Sequence, residues 1–263
     1  MSERPPLRLD HVTRTFGSGR GKVIAVEGVC MELPRDTIAS IVGESGSGKT
    51  TLARMMLGLL RPTGGAVYYE GVDISTYDAR RRRDYWRSVQ GIFQDPYSSF
   101  NQFFRVGKIL NDAFNLWPAQ PPRKEREERI IAALDTVNLK ATEVLGRYPF
   151  ELSGGQGQRL MIARAFLIKP AVLIADEPTS MIDACSRAGI LEALMRLRQE
   201  QGTSILFVTH DMGLAYYVSE TLYIMSQGRI VESGPAEQVM ESPQHPYTQR
   251  LLADVPRLHE AWL

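Results

Sequence analysis

The fold of this chain is constrained most by a glycine-rich segment that stands between a short apolar run and a helical pattern. Residues 43–50 read Gly-Glu-Ser-Gly-Ser-Gly-Lys-Thr, residues 38–42 suit a buried strand, and apolar residues recur at helical spacing over 50–60. Glycines let the backbone curl so that several N–H groups face inward, and the positive end of the following helix favours phosphate. The segment therefore predicts a phosphate loop within an α/β protein, rather than a plain glycine-rich turn.

The side chains of the phosphate loop (residues 43–50) indicate what it holds. Lys49 adds a point charge near the outer phosphates of a nucleotide, and the Thr50 hydroxyl suits Mg²⁺, a hard ion that prefers oxygen ligands. We expect the nucleotide to contact Gly43, Ser45, Gly46, Ser47, Gly48, Lys49, Thr50 and Thr51.

A second glycine-rich segment, Leu152–Gln156, reads Leu-Ser-Gly-Gly-Gln. A serine hydroxyl at Ser153 and bare backbone N–H groups at Gly154 and Gly155, where a helix opens, make a second anion site. The phosphate loop already serves the chain's own nucleotide, so this second site makes sense if it caps a nucleotide held by another copy of the fold. Two chains arranged head to tail would then complete two full sites.

Two carboxylates and one histidine follow apolar, strand-like runs. Asp176 and Glu177 end the run at 172–175, where buried carboxylates are costly unless something pairs with them. Mg²⁺ is the natural partner: Asp176 would bind it through water, and Glu177 would orient and polarise an attacking water. A simple strand-end cap is the alternative. His210 follows the next strand, at 204–208, and a lone histidine in such a position is usually a structural residue.

The composition is that of an ordinary soluble globular protein. Of 263 residues, 43% are hydrophobic and 23% charged, and the net charge of +1 gives no bulk electrostatic case for binding nucleic acid. A solvated surface explains the basic run Arg80–Arg83. No apolar stretch approaches the ~18 residues that span a bilayer, and the start of the chain has no signal segment. Cys30 and Cys185 offer neither metal-ligand spacing nor a disulfide framework, which fits a reducing cytoplasm.

The order of the elements predicts one α/β domain with a helical insertion and a tail. Short N-terminal strands precede strands that alternate with helices, and this alternation implies a parallel sheet core. Residues 96–160 change character and are predicted to form the helical insertion. We predict that the main domain covers 1–235 and that 236–263 form a polar, proline-bearing appendage.

The phosphate loop, the Leu-Ser-Gly-Gly-Gln segment and the Asp-Glu pair, in this order, resemble the ATP-binding cassette (ABC) family over nearly the whole chain. The resemblance implies a P-loop NTPase (RecA-like) core with an N-terminal antiparallel β subdomain and an inserted helical signature subdomain. It also implies that domain 1–235 is an ATPase domain with ATP and Mg²⁺ as cofactors. Leu152–Gln156 is then the family's signature segment, and the name is kept below.

The resemblance assigns roles to two further residues of the catalytic centre. Gln94, within Phe-Gln-Asp-Pro, would touch Mg²⁺ and the attacking water, and His210 would contact the outermost phosphate. The candidate catalytic residues are therefore Glu177, His210 and Gln94. The candidate metal ligands are Thr50, Gln94 and Asp176.

Further nucleotide contacts are implied. Ser180-Met181-Ile182-Asp183 resembles the loop that runs between the two composite sites, and it makes Asp183 a candidate contact, as are Ser153, Gly154, Gly155 and Gln156 of the signature segment. An aromatic residue at the end of an early strand stacks on adenine in the family, and Phe16 is the best candidate. Phe16 is equally suited to a core, since the family residue is commonly tyrosine.

Residues 51–54, Thr-Leu-Ala-Arg, and residues 97–99, Tyr-Ser-Ser, resemble the second of the two ATPases that oligopeptide and dipeptide importers usually encode. Several stretches resemble this branch of the family, the ATPases of such importers. They are 42–46, 93–99 and, most specifically, the His-Pro-Tyr-Thr tail within 243–252. The chain departs from this branch at Gln102-Phe103-Phe104, where a Pro-Arg-Met type sequence is usual, and at Gly157, where a larger polar residue is common. It lacks the cysteine-bearing tail of some relatives, so we expect no iron–sulfur cluster.

The resemblance implies an import motor that binds and hydrolyses ATP and drives uptake of peptides by closure of an ATPase dimer. The implied partners are a second ABC ATPase, identical or different, two integral membrane permease subunits and an extracytoplasmic solute-binding protein, with no nucleic acid. The implied location is the cytoplasmic face of the cell membrane, as a peripheral subunit. The branch also imports oligosaccharides and nickel, and an ATPase never touches the cargo. The aromatic residues Tyr97, Phe100, Phe103 and Phe104 suit either a groove for the membrane subunits or the core.

Two other classes are disfavoured. Soluble ABC ATPases that act on ribosomes usually hold two cassettes, and those that act on DNA insert long coiled coils, whereas this chain has one cassette and no long heptad pattern. A P-loop kinase or switch GTPase has no use for the signature segment.

Overall fold

The computed structural model describes residues 5–180, 182 and 184–253, and the chain forms two compact units. The first unit combines Met1–Ser75 with Leu206–Leu263, and the second is Thr76–Ile205. Within the described part of the chain, no helix has both the length and the apolar character that crossing a membrane requires.

An antiparallel sheet occupies the N-terminal part of the first unit. Strand β1 (Leu7–Phe16) lies between β2 (Val23–Leu33) and β4 (Gly64–Tyr69), and the short β5 (Val72–Asp73) pairs with β4. All of these pairs are antiparallel, so the predicted N-terminal antiparallel subdomain is confirmed.

Strand β2 is continuous, whereas the apolar pattern suggested two short strands at 23–26 and 29–33. Gly28 has a positive φ of 61°, and its amide donates a hydrogen bond to the Thr13 hydroxyl at 3.0 Å. The β1–β2 register shifts between Val12 and Arg14, which is the signature of a β-bulge. The bulge interrupts the alternation of side chains without ending the strand, and the sequence pattern therefore misled.

The first unit also holds strands of a mixed sheet. Strand β3 (Ile38–Val42) is buried throughout and pairs in parallel with β9 (Thr221–Ser226), which pairs antiparallel with β10 (Arg229–Pro235). Strand β8 (Ser204–Thr209) is the other neighbour of β3, and its residues from Leu206 onward belong to this unit. Strands β9 and β10 form a hairpin whose turn is Gln227-Gly228. The helices of the first unit are α1 (Lys49–Met56), α9 (Met212–Val218), α10 (Ala236–Glu241) and α11 (Pro246–Ala253).

Helix α1 is shorter than its sequence pattern suggested. The apolar periodicity runs on to residue 60, but the helix ends at Met56. Gly58 adopts a left-handed φ of 68°, and the Leu59 amide donates to the Arg54 carbonyl oxygen at 2.9 Å. A left-handed glycine just after the last turn is a common way for a helix to end.

The second unit combines a parallel strand pair with helices. Strands β6 (Val89–Ile92) and β7 (Val172–Asp176) pair in parallel, as the alternating pattern predicted. The helices are α2 (Ala79–Ser88), α3 (Pro96–Ser99), α4 (Val106–Asp112), α5 (Arg123–Thr136), α6 (Ala141–Val144), α7 (Gly154–Ile168) and α8 (Ala184–Gln201). Helix α7 is mostly buried and packs against α5 and α8. The α/β class is thus confirmed, and the predicted domain limits at 96–160 and 235 stay predictions.

The described part of the tail, up to Ala253, is not a polar appendage, which corrects the interpretation of its sequence. Helices α10 and α11 contribute Ala236, Val239 and Tyr247 to a buried cluster that also contains Val42 and Ile224. The few apolar residues of the tail are scattered among polar residues and prolines, and their partners lie far away in the sequence. A periodicity argument therefore had nothing to detect.

We expect Phe114→Ala to lower the free energy of unfolding by about 3–5 kcal/mol, because the fully buried ring would leave a cavity among packed side chains. Phe103→Ala is the matched control, since that ring is 88% exposed, and its effect should stay within about 0.5 kcal/mol. Urea unfolding of the two variants measures the difference, and equal losses would contradict the packing described for this unit.

Candidate functional site

The phosphate loop connects β3 to α1 in the first unit, and its backbone requires glycine. Gly48 caps α1 with a φ of 107°, and Gly46 has a φ of 81°, angles that residues with a Cβ rarely adopt. A Cβ on Gly48 would lie 2.3 Å from the carbonyl oxygen of Ala25, and one on Gly43 would lie 2.1 Å from that of Met225. The backbone of β2 and β9 therefore closes on the loop so tightly that only glycine fits at 43 and 48.

Lys49 begins α1, and its side chain turns back over the loop. It is only 5% exposed, and its Nζ donates hydrogen bonds to the carbonyl oxygens of Gly43 at 2.7 Å and Glu44 at 2.8 Å. A buried ammonium is costly without such partners, so these two carbonyls hold the positive charge at the loop. Ser45 and Thr50 stay exposed, where a ligand can reach them.

His210 is exposed and directly follows β8. The next residue, Asp211, is the N-cap of α9, and its carboxylate accepts a hydrogen bond from the Leu214 amide at 3.0 Å. The Asp211 amide donates to the Thr209 hydroxyl, also at 3.0 Å. These two hydrogen bonds fix the turn that presents His210.

The first unit brings the His210 turn next to the strand that leads into the phosphate loop. Met212, at the start of α9, and Val42, at the end of β3, belong to the same buried cluster. Phe16 ends β1 and is 40% exposed, with the Arg14 guanidinium 4.6 Å from its ring centroid. This exposure argues against the alternative that Phe16 is a core residue, and its contact with adenine stays a prediction.

The second unit gathers three predicted residues at one edge of its strand pair. Ile92 of β6 is paired with Ala175 of β7 in parallel register, so Gln94 and Glu177, each two residues further on, leave the sheet at the same edge. Asp176 is the buried last residue of β7. Glu177 has a positive φ of 48°, which is uncommon for a residue other than glycine and is a conformation often found at functional sites.

The signature segment begins α7 with a reciprocal capping box. The Ser153 hydroxyl accepts a hydrogen bond from the Gln156 amide at 3.2 Å, and the Gln156 side chain accepts one from the Ser153 amide at 3.0 Å. The helix therefore starts at Gly154, two residues before Gln156. The amides of a first helical turn have no partner within their own helix, so those of Gly154 and Gly155 are the donors that this helix end can offer to an anion.

Gln158 is a residue that the sequence interpretation missed. Its side chain is fully buried in α7 and donates hydrogen bonds to the carbonyl oxygens of Phe93 at 3.0 Å and Gln94 at 2.8 Å. The Tyr97 hydroxyl adds a hydrogen bond to the Leu152 carbonyl oxygen at 2.7 Å. These bonds tie the segment that carries Gln94 to α7, which we call the signature helix because the signature segment begins it. The helix sequence does not single out Gln158, because Gln156, Arg159 and Arg164 of the same helix are also polar.

The departure at Gly157 has a structural reason. A Cβ on this residue would lie 3.0 Å from both Cβ and Cγ of Pro96, closer than most real Cβ contacts. Glycine therefore allows α7 to approach the proline that follows the Gln94 segment. Asp183, the remaining predicted contact, lies outside the described residues.

The aromatic residues after Gln94 divide between core and surface. Phe100 is buried, so this ring belongs to the core and not to a groove for the membrane subunits. Phe103 is strongly exposed, and Tyr97 and Phe104 are exposed to a lesser degree. The Lys108 ammonium lies 4.5 Å from the Phe104 ring centroid. The surface that carries Phe103 and Phe104 thus remains open to a partner.

Within the described residues, one group of possible metal ligands forms away from these positions, on β1 and β2. It consists of Asp10, His11 and Cys30, whose ligand atoms lie within 4.8 Å of one another. The His11 amide donates to the Cys30 sulfur at 3.3 Å, and the His11 ring lies 2.9 Å from Asp10. The hydrogen bond with His11 lowers the pKa of Asp10. These contacts account for the meeting of the three side chains.

Two family models match the chain. The one described as ABC transporter matches residues 26–180, and the one described as oligopeptide/dipeptide transporter, C-terminal region, matches residues 231–263. The second match includes α10 and α11, the helices whose burial the sequence pattern did not predict.

Individual relatives agree with these matches. The chain is 40% identical to the dipeptide transport ATP-binding protein DppF of Escherichia coli (strain K12), over 90% of this chain and 70% of that protein. It is 36% identical to the oligopeptide transport ATP-binding protein OppF of Bacillus subtilis (strain 168), over 95% and 82%. Among solved structures it resembles the ATP-binding cassette MJ0796 with a TM-score of 0.80 and 26% identity, over 88% and 98%. That cassette was solved as a dimer, in a post-hydrolysis state with ADP and Pi.

Gly48→Ala should destabilise the protein more than Gly46→Ala. Both positions have positive φ, which costs a residue with a Cβ about 1–2 kcal/mol. The methyl group of alanine at position 48 would meet the backbone of Ala25, which adds an overpacking cost of about 1–3 kcal/mol. In the control, the Cβ added at Gly46 meets nothing within 4 Å. Urea unfolding compares the two variants, and an equal loss in both would contradict the tight contact with Ala25.

Proposed function

This chain belongs to the ABC transporter family, and on that premise we propose that it is the ATP-hydrolysing subunit of an importer for short peptides. The observation that carries the proposal is that one chain holds both a glycine-rich phosphate loop closed by Lys49 and a capped signature helix at Ser153. The first binds a nucleotide, and the second is suited to cap the nucleotide of a partner cassette.

Nucleotide binding is assigned to the residues of the first unit. The loop amides and Lys49 would hold the phosphates, Phe16 would stack on adenine, and His210 would donate a hydrogen bond to the outermost phosphate. The close backbone around Gly43 and Gly48 supports this assignment, because a loop that is already shaped loses less entropy when it binds.

Hydrolysis is assigned to residues at the sheet edge of the second unit. Glu177 would orient the attacking water and polarise it, and Gln94 would contact the same water. The bonds from Gln158 to the Gln94 segment would transmit movement of the signature helix to this water. Asp183 would contact the nucleotide from the loop between the composite sites.

The predicted metal ligands fit Mg²⁺. The hydroxyl of Thr50, the amide oxygen of Gln94 and the carboxylate of Asp176 are all hard oxygen donors, and Thr50 is exposed at the helix start. When bound, Mg²⁺ would neutralise charge on the outer phosphates. The chain's own residues would then hold the nucleotide, exclude stray water and position the nucleophile.

The partners follow from the two half-sites and from the open aromatic surface. A second ABC ATPase, identical or different, would supply the signature segment that completes the site on this chain. Phe103 and Phe104 are exposed aromatic side chains at the point where the sequence departs from its branch, which supports contact with membrane permease subunits. An extracytoplasmic solute-binding protein would join through those subunits. The chain would then work at the cytoplasmic face of the cell membrane.

Peptide is the proposed cargo because two of the relatives are named for dipeptide and oligopeptide transport, and because the tail matches that branch. Oligosaccharides and nickel are the alternatives within the branch. A soluble cassette that acts on ribosomes or DNA is the alternative outside it, and neither the net charge of +1 nor the matched tail favours that function.

We expect Glu177→Gln to slow steady-state ATP hydrolysis by roughly 10²-fold or more, as for loss of a positioned base, and to leave ATP binding intact. Glu143→Gln, an exposed carboxylate of the same unit, is the matched control and should keep wild-type turnover. Phosphate release and direct ATP titration measure the two quantities. Near-normal turnover in Glu177→Gln would show that the assigned role is wrong.

Lys49→Ala should weaken ATP binding, because it removes the charge that the Gly43 and Glu44 carbonyls hold at the loop. Cells that carry this variant in place of the wild-type chain should stop accumulating labelled tripeptide, while cells with the exposed control Lys124→Ala should accumulate it normally. Retained peptide uptake with loss of oligosaccharide or nickel uptake would reassign the cargo. Retained uptake of all three would contradict the import function.

A further inference from the structure

We propose that Tyr247, in the C-terminal tail, is a positioning residue for the phosphate loop. Its hydroxyl holds one peptide of the loop in the orientation that places the Lys49 ammonium, and the tail thereby sets the affinity for ATP. The inference rests on the proposed function only in that the loop binds ATP.

The peptide between Gly43 and Glu44 is held from both of its polar ends. Its N–H, on Glu44, donates a hydrogen bond to the Tyr247 hydroxyl at 3.0 Å. Its carbonyl oxygen, on Gly43, accepts the hydrogen bond from Lys49 Nζ at 2.7 Å. Because a trans peptide is planar, the N–H and C=O groups point in opposite directions and rotate together. Tyr247 therefore fixes the direction of the carbonyl that binds Lys49.

The Tyr247 ring is anchored so that its hydroxyl has little freedom. The side chain is 7% exposed and belongs to the cluster that contains Val42, which directly precedes Gly43, and Met212, which follows the turn carrying His210. The ring thus belongs to the same buried cluster as the residue that enters the loop and the residue that begins α9. One buried aromatic side chain connects the tail to both elements.

The tail sequence builds the turn that presents Tyr247. The Tyr247 amide donates to His245 Nδ1 at 3.1 Å, so that nitrogen must be the unprotonated one. The Glu232 carboxylate accepts hydrogen bonds from the amides of Gln244 at 2.8 Å and His245 at 3.0 Å. The Gln249 side chain donates to the Pro243 carbonyl oxygen at 3.0 Å. Together these hydrogen bonds fix the start of α11.

The hydrogen bonds from the Gln244 and His245 amides to the Glu232 carboxylate form a clamp on the start of α11, and this clamp is sensitive to acid. Partial burial of this carboxylate opposes ionisation, but the Gln244 amide, the Thr248 side chain and the neighbouring His245 together hold the pKa of Glu232 below its ordinary value of 4.5. A carboxyl group whose pKa falls on folding stabilises the fold above its ordinary pKa, and this contribution is lost as pH falls through the lowered value. The clamp is therefore complete at neutral pH.

Coupling between the tail and the nucleotide is reciprocal. If the docked tail raises the affinity for ATP, bound ATP must stabilise the docked tail by the same factor. The tail thus becomes a point where a partner subunit that holds or displaces α11 would change the affinity for ATP.

The test is Tyr247→Phe, which removes one hydroxyl and keeps the ring, studied in the full chain with Glu177→Gln so that ATP stays intact. We expect the Kd for ATP to rise roughly three- to tenfold, as for loss of one hydrogen bond, and amide exchange at residues 43–49 to become faster. Tyr223→Phe is the matched control, since its hydroxyl donates to the Glu32 carbonyl oxygen at 2.7 Å. It should cost a similar amount of thermal stability and leave the Kd unchanged within about twofold.

A second variant tests the clamp itself. Glu232→Gln should also raise the Kd, and its effect should combine with that of Tyr247→Phe to less than the product of the two, because both act on one contact. A Kd in Tyr247→Phe within twofold of its parent would overturn the inference and leave the proposed function standing. A parent chain that binds no ATP would overturn the proposed function and this inference with it.

Discussion

The close approach of backbone to the phosphate loop is the constraint on which the first unit depends. The carbonyl oxygens of Ala25 and Met225 lie where a Cβ would be on Gly48 and Gly43, and the Gly228 amide donates to the Ser47 carbonyl oxygen at 2.9 Å. The loop is therefore held by strands on either side as well as by its own glycines. These neighbouring strands restrict the curled backbone of the loop to few conformations. They also allow Lys49 to be buried against the carbonyl oxygens of Gly43 and Glu44. The positive charge of Lys49 is thus fixed at the loop, where it can act on a phosphate.

The second unit solves a related problem with side chains. The capping box of the signature helix gives partners to the amides of Ser153 and Gln156. The amides of Gly154 and Gly155, which lie between them, are left for an anion. The buried Gln158 then ties this helix to the backbone at Gln94. A displacement of the signature helix must move that segment or break two buried hydrogen bonds, and the second outcome is costly. In the head-to-tail dimer that we propose, the signature segment of one chain would cap the nucleotide of the other, and these bonds would then pass a movement of that helix on to the Gln94 segment.

The sequence predicted the parts that depend on local chemistry and missed those that depend on distant neighbours. Lys49, Ser153 and the Asp-Glu pair stand in motifs whose spacing encodes their local geometry, and the α/β class followed from alternating elements. Gln158, Gly157 and Tyr247 could not be assigned in this way, because their partners are distant in the sequence. These partners are Gln94, Pro96 and Glu44, which lie 64, 61 and 203 residues away. The sequence pattern also missed the continuity of β2 and the early end of α1. Each depends on one glycine with a positive φ, Gly28 at the bulge within β2 and Gly58 just after α1. The tail was misjudged because its few apolar residues have no period, although they fill the cluster beneath the loop.

The measurement that tests the central claim most directly is mass spectrometry of the proteins that co-purify with this chain, tagged and expressed at native level, from gently solubilised membranes. The account predicts two integral membrane subunits and a second ABC ATPase in stoichiometric amounts, with an extracytoplasmic binding protein whose ligand identifies the cargo. A chain recovered with ribosomes or nucleic acid, or with no membrane subunit at all, would contradict the import function and favour a soluble cassette.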